Sequence, residues 1–149
     1  MTRRDAKSYL ENVRSAIERE EMLKERLARA RARCDVSGMD YDDMPKNPNA
    51  NADGVHDAVV RYGDIVKKLE AQAAFTDMVI DQAWQMFEAM RDSGVDKSLC
   101  DEAELYYLWD METAEISKQL RPHRATSTIN HRRAQFLELA NSFVPLDAA

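Results

Sequence analysis

The chain has 149 residues, enough for one modest domain or for a small domain with an extended helical part. Four Gly and four Pro against plentiful Ala, Glu, Leu, Met and Arg predict an all-α protein, because those side chains lose little rotamer freedom in a helix. A net charge of −6 argues against a simple DNA-coating protein, two distant cysteines exclude a disulfide framework, and no apolar run nears the roughly 18 residues of a membrane span.

The charge is unevenly spread. Residues 1–34 carry ten Lys/Arg against six Asp/Glu, and residues 121–149 carry four against two, so both ends are basic and the middle is acidic. Basic ends can mark nucleic-acid contacts, although solvated helix faces have the same composition. The start, "MTRRDAKSYLENV", has no apolar stretch of the signal-peptide kind. The expected setting is the reducing cytoplasm, with Cys34 and Cys100 as free thiols in or near the core.

The first predicted helix runs from Asp5 to Cys34. Tyr9, Val13, Ala16, Glu20, Leu23, Leu27, Ala30 and Cys34 form one stripe, which Leu10 and Ile17 widen. Its end, "KERLARARAR", is basic. Cations at a helix C-terminus complement its dipole, and a phosphate-contacting face is the alternative. Residues 35–54, "DVSGMDYDDMPKNPNANADG", are rich in turn formers and read as a flexible acidic linker. Asp35, Asp40, Asp42 and Asp43 lack the spacing of a calcium loop.

The second helix has the strongest periodicity. Val55, Val59, Tyr62, Val66, Leu69, Ala73, Thr76, Ile80, Ala83, Phe87 and Met90 follow a heptad seam, and Ser93-Gly94 supplies a stop. The two long helices predict an antiparallel, coiled-coil-like hairpin over residues 5–93; a coiled coil between copies, giving a homo-oligomer, is the competing arrangement. Trp84, Met86 and Met90 are expected to meet the C-terminal module.

Residues 95–145 predict that compact module. "KSLCDEAELYYLWDM" gives a short helix with Leu99, Ala103, Tyr106, Tyr107 and Leu108 as apolar positions. "ETAEISKQL" gives another, ending by Leu120 or Arg121 ahead of Pro122. A longer helix comes next, capped by Thr126 or Ser127, with Ile129, Phe136, Leu137, Ala140, Phe143 and Val144 inward. A helix–turn–helix uses one short helix to brace a second across the major groove. The start of the last helix offers Thr126, Ser127, Thr128, Asn130 and His131 for hydrogen bonding, and Asn suits adenine. Arg121, Arg124, Arg132 and Arg133 flank them, suited to phosphate or guanine.

The stretches "AELYYLWDMETAEISKQL" and "STINHRRAQFLELA" resemble the C-terminal helix–turn–helix of sigma factors, region 4. The resemblance lies in Leu105, Tyr106, Tyr107 and Leu108, then Glu115-Ile116-Ser117 with Leu120, then Thr128-Ile129, Arg133-Ala134 and Leu137. Ser117 stands where the family has Ala, and Arg121-Pro122 where its turn has Gly. Two long helices before such an ending resemble small phage-encoded regulators related to the ArpU and RinA type. The resemblance implies a transcriptional regulator that binds double-stranded promoter DNA and acts with host RNA polymerase.

Other chemistry finds little footing. His56, His123 and His131 have no zinc-ligand spacing with Cys or Glu, and no Gly-rich phosphate loop is present. No nucleophile has an evident base, and Asp81 and Glu88 lie off the apolar seam. The expectation is no enzyme, no metal and no cofactor. The alternative functions are a coiled-coil adaptor without DNA binding, and a small DNA-packaging subunit.

Overall fold

A computed structural model describes residues 5–43, 48–120 and 123–145, with side chains at all of these except 34–43 and 48–56. Among the described residues the chain is all-helical. Its helices are α1 (Ala6–Asp43), α2 (Pro48–Asp92), α3 (Lys97–Tyr107), α4 (Thr113–Gln119) and α5 (Thr126–Ala140). No helix among them is long and apolar enough to cross a membrane.

The structure differs from the expected linker. Helix continues through Asp43 and resumes at Pro48, so most of 35–54 is helical backbone; residues 44–47 lie outside the described residues. Extending an existing helix gains a hydrogen bond per residue, whereas nucleation gains none at first. A mid-helix Gly such as Gly38 costs only about 1 kcal/mol against that gain. Pro48 stands at the first helical position, where its missing N–H is no loss. The expectations placed on the side chains of Cys34, Val55 and His56 lie outside the described residues.

The chain divides into two compact units, Met1–Glu18 with Phe75–Ala149, and Arg19–Ala74. The expected boundary between 93 and 95 is therefore displaced. The reason is burial. Tyr9, Leu10, Val13 and Ala16 of α1 and Val79, Ala83, Phe87 and Met90 of α2 share one core with Leu99, Cys100, Ala103 and Tyr107 of α3 and Phe136 and Ala140 of α5. The Phe87 and Phe136 rings stack at 5.2 Å between centroids. The Asn141 side-chain oxygen accepts from the Ala6 N–H at 2.9 Å, so the end of α5 caps the start of α1. Thr76 donates to the Ala16 carbonyl at 3.3 Å.

Met86 and Met90 are buried in this core, but Trp84 is exposed. It is adjacent to Ala83 and falls off the Ala83–Phe87–Met90 stripe. Cys100 is a buried free thiol, and burial pushes its pKa up, which leaves it a poor nucleophile.

Helix α2 stops where Gly94 takes φ +98°, a conformation that favours glycine. The Val95 N–H reaches the Met90 carbonyl and the Gly94 N–H the Arg91 carbonyl, a Schellman closure. Asp96 then caps α3, accepting from the Ser98 N–H at 3.0 Å. Replacing Asp96 with Ala should cost about 1 kcal/mol in denaturant unfolding, while Asn should retain most of the cap.

In the Arg19–Ala74 unit no described residue is fully buried. Leu23, Leu27 and Ala30 of α1 and Tyr62, Ile65, Val66 and Leu69 of α2 are half-buried. Val59, expected in the seam, is 56% exposed. Two helices cover only one side of each other, so such a seam stays open to solvent.

Candidate nucleic-acid interface

Helix α5 packs on both α3 and α4, and α3 packs on α4. Ile129, Phe136 and Ala140 anchor it, with Leu137 half-buried. Arg132 and Arg133 fall three and four residues after Ile129 and four and three before Phe136. Helical geometry therefore places both on the inward stripe.

Each arginine has an internal partner. Glu102 of α3 is only 5% exposed. One of its carboxylate oxygens pairs with Arg124 and the other accepts from Arg132 Nε at 2.8 Å. Arg132 also donates to Ser98 Oγ at 2.8 Å. This knot ties the α4–α5 turn and the middle of α5 to α3. Arg133 lies over the Tyr106 ring at 3.5 Å, and Arg14 lies over the same ring at 3.9 Å. Arg133 donates to Thr113 Oγ1 at 2.8 Å and Asn130 Oδ1 at 3.2 Å. Burial pulls its pKa below the usual guanidinium value. Arg14 continues the network to Asp110 at 2.8 Å and Glu112 at 3.1 Å.

The connection between α4 and α5 is held by side-chain hydrogen bonds. Ser117 Oγ donates to the Arg124 carbonyl at 2.6 Å. His123 Nδ1 lies 2.9 Å from the Ser117 carbonyl, which can only accept, so that nitrogen carries the proton. Ser117 thus ties the end of α4 to the start of α5.

Helix α5 begins after Ala125, and no side chain caps it. Thr126 and Ser127 were expected to do so. They stand instead at the first helical positions, one step too late for their oxygens to reach the free N–H groups. Thr126, Ser127, Thr128, Asn130 and His131 are all exposed. The hydroxyls of Thr126, Ser127 and Thr128 make no hydrogen bond among the described residues. Asn130 accepts from Arg133 at 3.2 Å, and His131 lies 3.4 Å from Gln135. Arg121 lies outside the described residues.

The structure therefore brings the polar residues at the start of α5 together on one open edge. Arg124 and Arg132, expected at phosphate or guanine, are engaged by Glu102, and Arg133, which hydrogen-bonds Asn130 of that edge, is held against Tyr106 and Thr113. The partner that sequence reasoning missed is Glu102. Leu99, Glu102, Ala103 and Tyr106 have i, i+3, i+4, i+7 spacing, which marks the carboxylate as inward.

No protein-family model matches the chain, and no curated protein or solved structure does either.

Proposed function

We propose that α4 and α5 act as a helix–turn–helix and that the protein is a phage-type transcriptional regulator binding promoter DNA. The observation that carries this reading is the open edge of α5: five hydrogen-bonding side chains, Thr126, Ser127, Thr128, Asn130 and His131, all exposed on the first two turns. Ser/Thr and Asn are residue types that contact base edges, and a recognition helix reads through its N-terminal residues. The uncapped N–H groups at the same end suit a phosphate. In this reading Arg124 and Arg132 position α5 through Glu102 rather than touching DNA. The regulator acts beside host RNA polymerase, an inference that rests on the resemblance to sigma-factor region 4.

A coiled-coil adaptor without DNA binding is the second reading. It draws on the internal commitment of Arg124, Arg132 and Arg133, which leaves the α5 edge short of free cations.

Selection from a random duplex pool tests the proposal. An enriched motif is expected, and Ser127→Ala with Asn130→Ala should weaken its binding about tenfold or more, since base contacts are worth roughly 1–3 kcal/mol each. A pool that shows no enrichment favours the adaptor.

A further inference from the structure

The Arg19–Ala74 unit has a charged cleft that the reading of α5 does not use. Arg26, Arg29 and Arg33 of α1 face Arg61 of α2 across a cleft of about 300 Å³, floored by Ala30 and Ile65 among others. All four arginines are exposed, and none makes an ion pair or hydrogen bond among the described residues. Elsewhere in the chain Arg14, Arg91, Arg124 and Arg132 each hold a carboxylate.

Two simple explanations for the cluster fail. Dipole complementation works only in the last turn of a helix. Helix α1 runs on to Asp43, so Arg33 stands ten residues before its end. Salt bridging along the helix also fails. The spacings 26–29 and 29–33 are i,i+3 and i,i+4, so these like charges are neighbours and repel. Among the described residues no carboxylate pairs with these arginines to relieve that repulsion.

We propose that this cleft is a second nucleic-acid contact, taking the phosphates of a DNA backbone. The three α1 arginines extend along about 10 Å of helix, at 1.5 Å rise per residue. That is a row suited to successive phosphates rather than to one small anion, and Arg61 closes the opposite wall. Guanidinium groups bind phosphate oxygens in paired hydrogen bonds. Such contacts position the protein and carry no sequence information. The inference stands on this unit alone and is independent of the reading of α5.

The test is a full-length variant with Arg26, Arg29, Arg33 and Arg61 each changed to Gln, titrated onto random-sequence duplex DNA at several salt concentrations. A control of equal charge loss changes Arg19, Lys24, Lys67 and Lys68 to Gln. These cations are exposed and do not line the cleft. The cleft variant should bind at least tenfold more weakly, and its log–log salt slope should fall by roughly 3 to 4, about 0.9 for each phosphate no longer neutralised. It should melt no lower than wild type, because like charges have been removed. The control should keep most of the slope. Unchanged binding by the cleft variant, an equal loss in the control, or preference for polyglutamate over DNA would each overturn the proposal. The α5 variant Ser127→Ala with Asn130→Ala separates the two readings. Sequence preference lost with slope retained assigns the edge to reading and the cleft to phosphates. Unchanged preference in that variant counts against α5 alone.

Discussion

Phe136→Ala is expected to cost about 3–5 kcal/mol, the range for truncating a buried aromatic side chain. Phe136 is fully buried and stacks on Phe87 at 5.2 Å with an interplanar angle of 14°. It joins α5 to the end of α2, so its loss opens a cavity where two elements meet rather than at a margin that can collapse. For a chain of this size the melting temperature should fall by roughly 6–20 °C. Leu139→Ala, on the outer face of the same helix, is the internal control. Leu139 is 48% exposed and should change stability by about 0.5 kcal/mol or less. Equal effects from the two substitutions would contradict the assignment of the α5 stripe.

Glu102→Ala is the second large effect, expected at about 2–4 kcal/mol. Removing one member of a buried ion pair costs about 3–5 kcal/mol because the partner charge stays behind unpaired. Here the partners Arg124 and Arg132 keep 27% and 20% of their side-chain exposure, so water recovers part of the loss. Glu102→Gln should also destabilise, since it preserves shape and removes the charge shared by two guanidiniums. Combining Glu102→Met with Arg132→Met should recover part of the penalty, because Arg132 no longer stays behind as an unpaired charge, while Arg124 still loses its carboxylate. The double-mutant cycle measures the coupling directly by urea unfolding. Additive losses would show that the two side chains do not act as a unit.

Much of the helical plan was legible in the sequence. Heptad spacing along α2 and the Ser93-Gly94 stop reflect backbone and packing rules that act locally. The fate of the polar residues was less legible, for a physical reason. Periodicity marks a face, but residue type favours assigning every charged residue on that face to solvent. Glu102 lies on the Leu99–Ala103–Tyr106 stripe, and Arg132 and Arg133 lie on the Ile129–Phe136 stripe. Charge alone cannot reveal that these stripes meet and neutralise one another. The segment after Cys34 departs from expectation for a different reason. Its Asp, Asn and Gly content lowers helix propensity, yet propagation from the long helix before it outweighs residue-by-residue preference. The open edge from Thr126 to His131 was legible, because its residues fall between the positions of the inward stripe.

Contact between the α5 edge and duplex DNA is the central claim, and titrating the wild type and the Ser127→Ala, Asn130→Ala variant onto the selected duplex tests it most directly. The variant should bind that duplex about tenfold more weakly or worse, with helical content and cooperative melting intact. Equal binding by the two proteins would contradict the claim.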